Sequence, residues 1–147
     1  MNRSIRSVFW PMLFCVFALS SQALFGQGQV YFNNRVTGVV DARVTTSDGF
    51  GLGAGWIAQL FGGPAGTPLS GLTPLFPTTT FRTSSAAAMG YLNGVVVTVP
   101  GVAPGEQAAL VMRVSCGEPA ASISFAESNL ITIAIGGGIL PPANWQG

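Results

Sequence analysis

An all-β domain of two packed antiparallel sheets is the fold this sequence predicts, and three observations carry it. Short runs rich in Val, Ile, Thr and aromatic residues recur along residues 24–147, with Gly and Pro punctuating them roughly every ten residues. No stretch sustains an apolar 3.6-residue period between helix caps. Six to eight strands without helices imply a sandwich, immunoglobulin-like or jelly-roll-like, with a small closed β-barrel as the alternative.

Residues 1–23 stand apart as a secretory signal peptide. Arg3 and Arg6 give a positive start, Val8 to Leu19 is apolar, and Ser20-Ser21-Gln22-Ala23 is small and polar, with cleavage expected after Ala23. An apolar run of about 12 residues, interrupted by Pro11, is too short for a membrane span, which needs about 20. The remaining residues 24–147 suit a single domain, exported by the general secretory route and carrying no membrane span.

Within it, Gln29 to Val36 is predicted as the first strand, because Val30 and Phe32 alternate with Tyr31 and Asn33, and Val39 to about Thr46 as the second. The glycine-rich Ser47 to Gly55 reads as a flexible connection. Trp56 to Phe61 resumes a strand that Gly62-Gly63-Pro64-Ala65-Gly66 should end. Three prolines between Thr67 and Pro77 predict a loop or ragged edge, with a short edge strand over Thr78 to Thr83. Ser84 to Met89 is ambiguous between a loop and one helical turn. In Tyr91-Leu92-Asn93-Gly94-Val95, the Asn-Gly pair predicts a tight hairpin with positive φ, from which Val95 to Val99 returns. Ala108 to Ser115 is apolar on both faces, Leu110, Met112 and Val114 on one and Ala109 and Val111 on the other, so it should be an inner strand whose Arg113 reaches an edge. A helical turn is allowed at Pro119-Ala120-Ala121, and Leu130 to Ile135 reads as a fully buried strand.

Chemistry is limited by what the chain lacks. It has no histidine, six Lys plus Arg and five Asp plus Glu, and without histidine neither a Ser-His-Asp or Cys-His centre nor a zinc site of the usual kind can form. Arg35, Arg43, Arg82 and Arg113 are too few and scattered to displace counterions from nucleic acid. Cys15 leaves with the signal, so Cys116 is alone and is expected as a small buried hydrophobe. Glu118 and Glu127 have the type needed for glycoside hydrolysis, yet are expected to be solvated loop residues. Asp48 lacks the alternating oxygen ligands of a calcium loop, and the nearby glycines do not match a dinucleotide fingerprint. Hence no catalytic, metal or cofactor residue is assigned. Trp56, Tyr31, Tyr91 and Trp145 are candidates for a sugar-stacking platform, with core packing as the competing role of Trp56. Asn33-Asn34-Arg35 would serve equally as a ligand's hydrogen-bonding partners or as a strand end.

The segments Gly28 to Val36, Trp56 to Pro64, Val99 to Gly105 and Ser128-Asn129-Leu130 together resemble a group of uncharacterised secreted β-rich proteins, numerous in Verrucomicrobia and related bacteria, many of them PEP-CTERM sorted. The resemblance implies export and a β-rich fold and carries no activity. It also implies one more short strand after the proline-containing segment at Pro141-Pro142, so the domain is expected to lack a final strand and to self-associate through the edge left open. The leading functional expectation is a non-catalytic extracellular or cell-envelope β-domain acting by protein or matrix contact. A carbohydrate-binding module is the alternative and a glycosidase-like enzyme the third.

Overall fold

The computed structural model describes residues 27–117, 126–137 and the backbone of 143–144. The expected signal peptide with Cys15, the helical turn allowed at Pro119-Ala120-Ala121, Glu118 and Trp145 lie outside the described residues. Eleven strands follow in order: β1 Gly28–Phe32, β2 Arg35–Val36, β3 Val40–Asp41, β4 Trp56–Pro64, β5 Thr73–Pro74, β6 Thr79–Thr80, β7 Val95–Val99, β8 Gln107–Cys116, β9 Ala126–Glu127, β10 Ile131–Ala134 and β11 Ala143–Asn144. A 3-10 turn, Leu69–Gly71, is the one helical element among them. No helix among the described residues is long and apolar enough to cross a membrane.

The strands form two main sheets that do not close into a barrel. The smaller has the order β11-β1-β7; the larger runs β10-β8-β4-β5, with β6 also on β4 and β9 also on β8. Its spine is the antiparallel β4–β8 pair, in register from Trp56↔Cys116 to Pro64↔Ala108. Alternation puts Val30, Phe32, Val97 and Val99 of the smaller sheet against Ala58, Leu60, Ala108, Leu110, Met112 and Val114 of the larger. Leu52, Leu75, Phe81, Leu92, Val102 and Ile135 close the ends of this core. The expected two-sided character of the inner strand is present: Ala109 and Val111 pack with Phe61 and Leu72 on the outer face. Arg113 lies over the Phe61 ring, 4.3 Å from its centroid, and meets Glu127 of the edge strand β9 at 2.6 Å.

Several local expectations are corrected. The first strand breaks at Asn33-Asn34, and the second shrinks to β3, because Val44 donates to the Gly90 carbonyl instead of continuing the β2–β3 ladder. Gly62 and Gly63 do not end β4: they pair with Leu110 and Ala109 of β8, and Gly62 also pairs with Thr73 of β5. A Cβ at Gly62 would sit 2.7 Å from Leu110 Cδ2 and 2.8 Å from Leu75 Cδ1, so the missing side chain is what lets the core close there. The stretch Ser47 to Gly55 is pinned rather than loose: the Thr46 N–H donates to the Phe50 carbonyl, Thr45 bridges Gly51, and Leu52 is buried.

Asn93-Gly94 forms no hairpin. Leu92 bridges Phe81 and the Asn93 N–H donates to the Thr80 carbonyl, whereas β7 crosses to the other sheet to pair with β1, and neither Asn93 nor Gly94 has positive φ. β10 is an edge strand whose residues alternate between half-buried and exposed, so Leu130 to Ile135 is not buried throughout. The segment after Gly136 itself supplies a strand, β11, parallel to β1 at Val30↔Ala143 and Tyr31↔Asn144. Gly136 already exchanges both backbone bonds with Gln29. The β1 edge is therefore occupied at these positions by the chain's own continuation.

Candidate functional site at the loop end of the sandwich

The chain leaves β1, enters β4, enters β7 and leaves β8 at one end of the sandwich, and the loops gathered there carry Arg35, Asp41, Arg43, Asp48 and Arg82, most of the charged residues among the described ones. Asn34 holds them together. Its side chain is fully buried, and Nδ2 donates to the carbonyls of Ala42 (2.7 Å) and Gly90 (2.9 Å) while Oδ1 accepts from the Leu92 N–H (2.8 Å). These three bonds use both N–H donors of the amide and give its oxygen a partner. Asn33 bonds locally to both backbone groups of Arg35. Of the two roles open to Asn33-Asn34-Arg35, the structural one applies to both asparagines.

Tyr91 is buried, and its hydroxyl donates to Asp41 Oδ1 at 2.5 Å while the Arg35 guanidinium lies 4.6 Å from the ring centroid. The hydrogen bond to the Asp41 carboxylate, with burial second, holds the Tyr91 phenol above its ordinary value near 10, against a smaller opposing pull from Arg35 and Arg43. A folded pKa above the unfolded one means stability that is complete below about pH 10 and is lost as pH rises through the raised value. Denaturant unfolding should thus show Tyr91→Phe less stable than wild type at pH 8, with the gap closing above pH 10. A gap that widens there would contradict the bond's direction.

The other two arginines of these loops, Arg43 and Arg82, are engaged with backbone. Arg43 donates to the carbonyls of Met89 (2.7 Å) and Ala86 (2.8 Å), and Arg82 to that of Leu92 (2.9 Å). Beside Arg43 an apolar cleft of about 280 Å³ opens between Ala42, Val44, Met112, Val114 and Ala126. Its polar neighbours already have partners: Glu127 holds Arg113, and Ser128 Oγ accepts from the Met112 N–H. The cleft therefore presents apolar surface and no free polar anchor of the kind that fixes a small ligand's orientation.

The loop tips themselves are apolar and exposed. Phe50 is 73% exposed on the 46–50 turn, and Val39 is 61% exposed on the β2–β3 turn. Sequence reasoning missed both; the available signal was a large apolar residue flanked by turn formers in Gly49-Phe50-Gly51 and Thr37-Gly38-Val39. Of the aromatic candidates among the described residues, Tyr91 is buried beneath Arg35, Trp56 is half-buried against the core and Tyr31 is half-buried against Gly94. Cys116 is exposed, contrary to expectation, because it ends β8 at the loop end rather than lying within the core. Among the described residues no group of three Asp, Glu or Cys is placed to hold a metal ion. Comparison with protein-family models, with curated proteins and with solved structures finds no match to this chain.

Proposed function

We propose that this chain is an exported, non-catalytic β-sandwich domain that works outside the cytoplasm, free or in the cell envelope, by protein or matrix contact through its loop end. The observation that carries this reading is the pair of exposed apolar tips, Phe50 and Val39, each on a hydrogen-bonded turn of a loop end pinned by Asn34. Apolar side chains held on a rigid base lose little entropy on docking, and an aromatic anchor of this kind is a frequent hot spot. The carboxylates of Asp41 and Glu127 are committed to Tyr91 and Arg113, which supports a non-catalytic role. Burial of Tyr91 weighs against sugar stacking. Self-association through a sheet edge is a second, separate contact.

The test is binding of labelled protein to isolated envelope material of the producing cell. We expect saturable binding that protease treatment of the envelope abolishes and that Phe50→Ser with Val39→Ser weakens about tenfold or more, as loss of a hot spot does, at unchanged melting temperature. Binding that survives protease but disappears on polysaccharide digestion would replace protein contact with carbohydrate recognition.

A further inference from the structure

We propose that the open edge of β7 is the surface on which a second copy of this chain docks, β7 against β7, joining the two smaller sheets across a two-fold axis. This contact is independent of the loop-end reading.

The direction of the backbone groups on β7 follows from β1. Gln29 donates to and accepts from Gly136, at 2.7 and 3.0 Å, so both of its backbone groups point away from β7. In an antiparallel ladder, residues facing each other either exchange both bonds or turn both outward. Thr98 opposite Gln29, and Val96 opposite Tyr31, therefore turn their N–H and C=O groups to the outer side of β7. Among the described residues no strand lies on that side.

This edge also lacks the devices that keep edges apart. Val95-Val96-Val97-Thr98-Val99 has no charge, no proline and no bulge, and its register with β1 is unbroken. β4, by contrast, is flanked by two short pieces, one of them ending in Pro74. Among the described residues β10 is also an open edge, but it has only four residues. A β7–β10 contact would be head-to-tail and leave a free edge on every added copy, whereas β7–β7 is self-complementary and closes at two.

The register is determined by the outward groups. With Val97 on the axis, Val96 exchanges both bonds with Thr98 of the partner subunit, and Thr98 does the same with Val96 of the partner subunit, giving four backbone hydrogen bonds. Val96, 44% exposed, gains a neighbour on the outer face, and half-buried Val95 is covered at the rim of the core. With only 7% charged residues in the chain, little repulsion opposes the approach.

Light scattering of purified protein across a wide concentration series should show a monomer–dimer equilibrium that stops at the dimer. Val96→Lys puts like charges near the axis on an already exposed side chain and should weaken dimerisation about tenfold or more, the equivalent of about 1.4 kcal/mol. Thr98→Pro removes an N–H that β1 does not use, and should do the same while the monomer keeps its melting temperature. Amide exchange provides a readout separate from mass: the Val96 and Thr98 N–H groups should be protected at high concentration and exchange freely on dilution. A protein monomeric throughout, a dimer indifferent to both substitutions, or growth beyond the dimer would each overturn the proposal. A wild-type protein that forms the dimer but does not bind the envelope would refute the loop-end reading alone.

Discussion

Asn34→Leu is expected to lower stability by about 2–4 kcal/mol. The substitution keeps bulk but strands the buried Leu92 N–H and deprives the Ala42 carbonyl of its side-chain donor, each costing about 1–3 kcal/mol. The Gly90 carbonyl is spared, because Val44 also donates to it. Asn34→Asp should be at least as damaging near neutral pH: it retains the acceptor, loses both donors and turns a carboxylate toward two carbonyls in a buried position. Protonation relieves that repulsion, so the Asp variant should recover stability as pH falls through the carboxylate range. Urea unfolding at pH 4 and pH 7 decides the matter. A leucine variant within about 0.5 kcal/mol of wild type, the span of neutral surface changes, would show that the amide does not hold the loops together.

The second large effect is expected at Gly94, where valine should cost about 1–3 kcal/mol by overpacking. A turn with positive φ is not the reason. A Cβ at this position would overlap the hydroxyl end of the Tyr31 ring on the neighbouring strand, and Gly94 has ordinary negative-φ backbone. The two causes separate in a double-mutant cycle. If the ring is the obstacle, Tyr31→Ala should recover much of the loss from Gly94→Val; if backbone strain were responsible, the two changes would add. Additive melting shifts would therefore return the position to turn chemistry.

The misreading of Asn93-Gly94 marks the limit of what was legible. Strand class, the two apolar faces of β8 and the proline-ragged edge around Pro74 were readable, because each follows from period-two alternation or from a missing N–H. The Asn-Gly preference is equally physical but local, and here the long-range pairings of Leu92 with Phe81 and of Val95 with Phe32 override it. Gly62-Gly63 was misread for the same reason: ladder partners on β8 hold the glycines extended. At the candidate site, Asn34 looked like any polar strand end, since its partners at positions 42, 90 and 92 are distant in sequence. The exposure of Cys116 and Phe50 likewise depends on where a strand or turn ends in space.

The pairing pattern of the two main sheets has a kinetic consequence. Residue 56 pairs with residue 116, and residue 28 with residue 99, so neither spine is a local hairpin that could form early and template the rest. Topologies dominated by such distant contacts fold in the millisecond-to-second range, because loop closure must precede any reward from pairing. As the chain emerges from the ribosome, the larger sheet lacks its central partner until β8, which ends at Cys116, has been made. Under the proposed export, the chain would reach a secretory channel with its larger sheet still unassembled, which threading through such a channel requires.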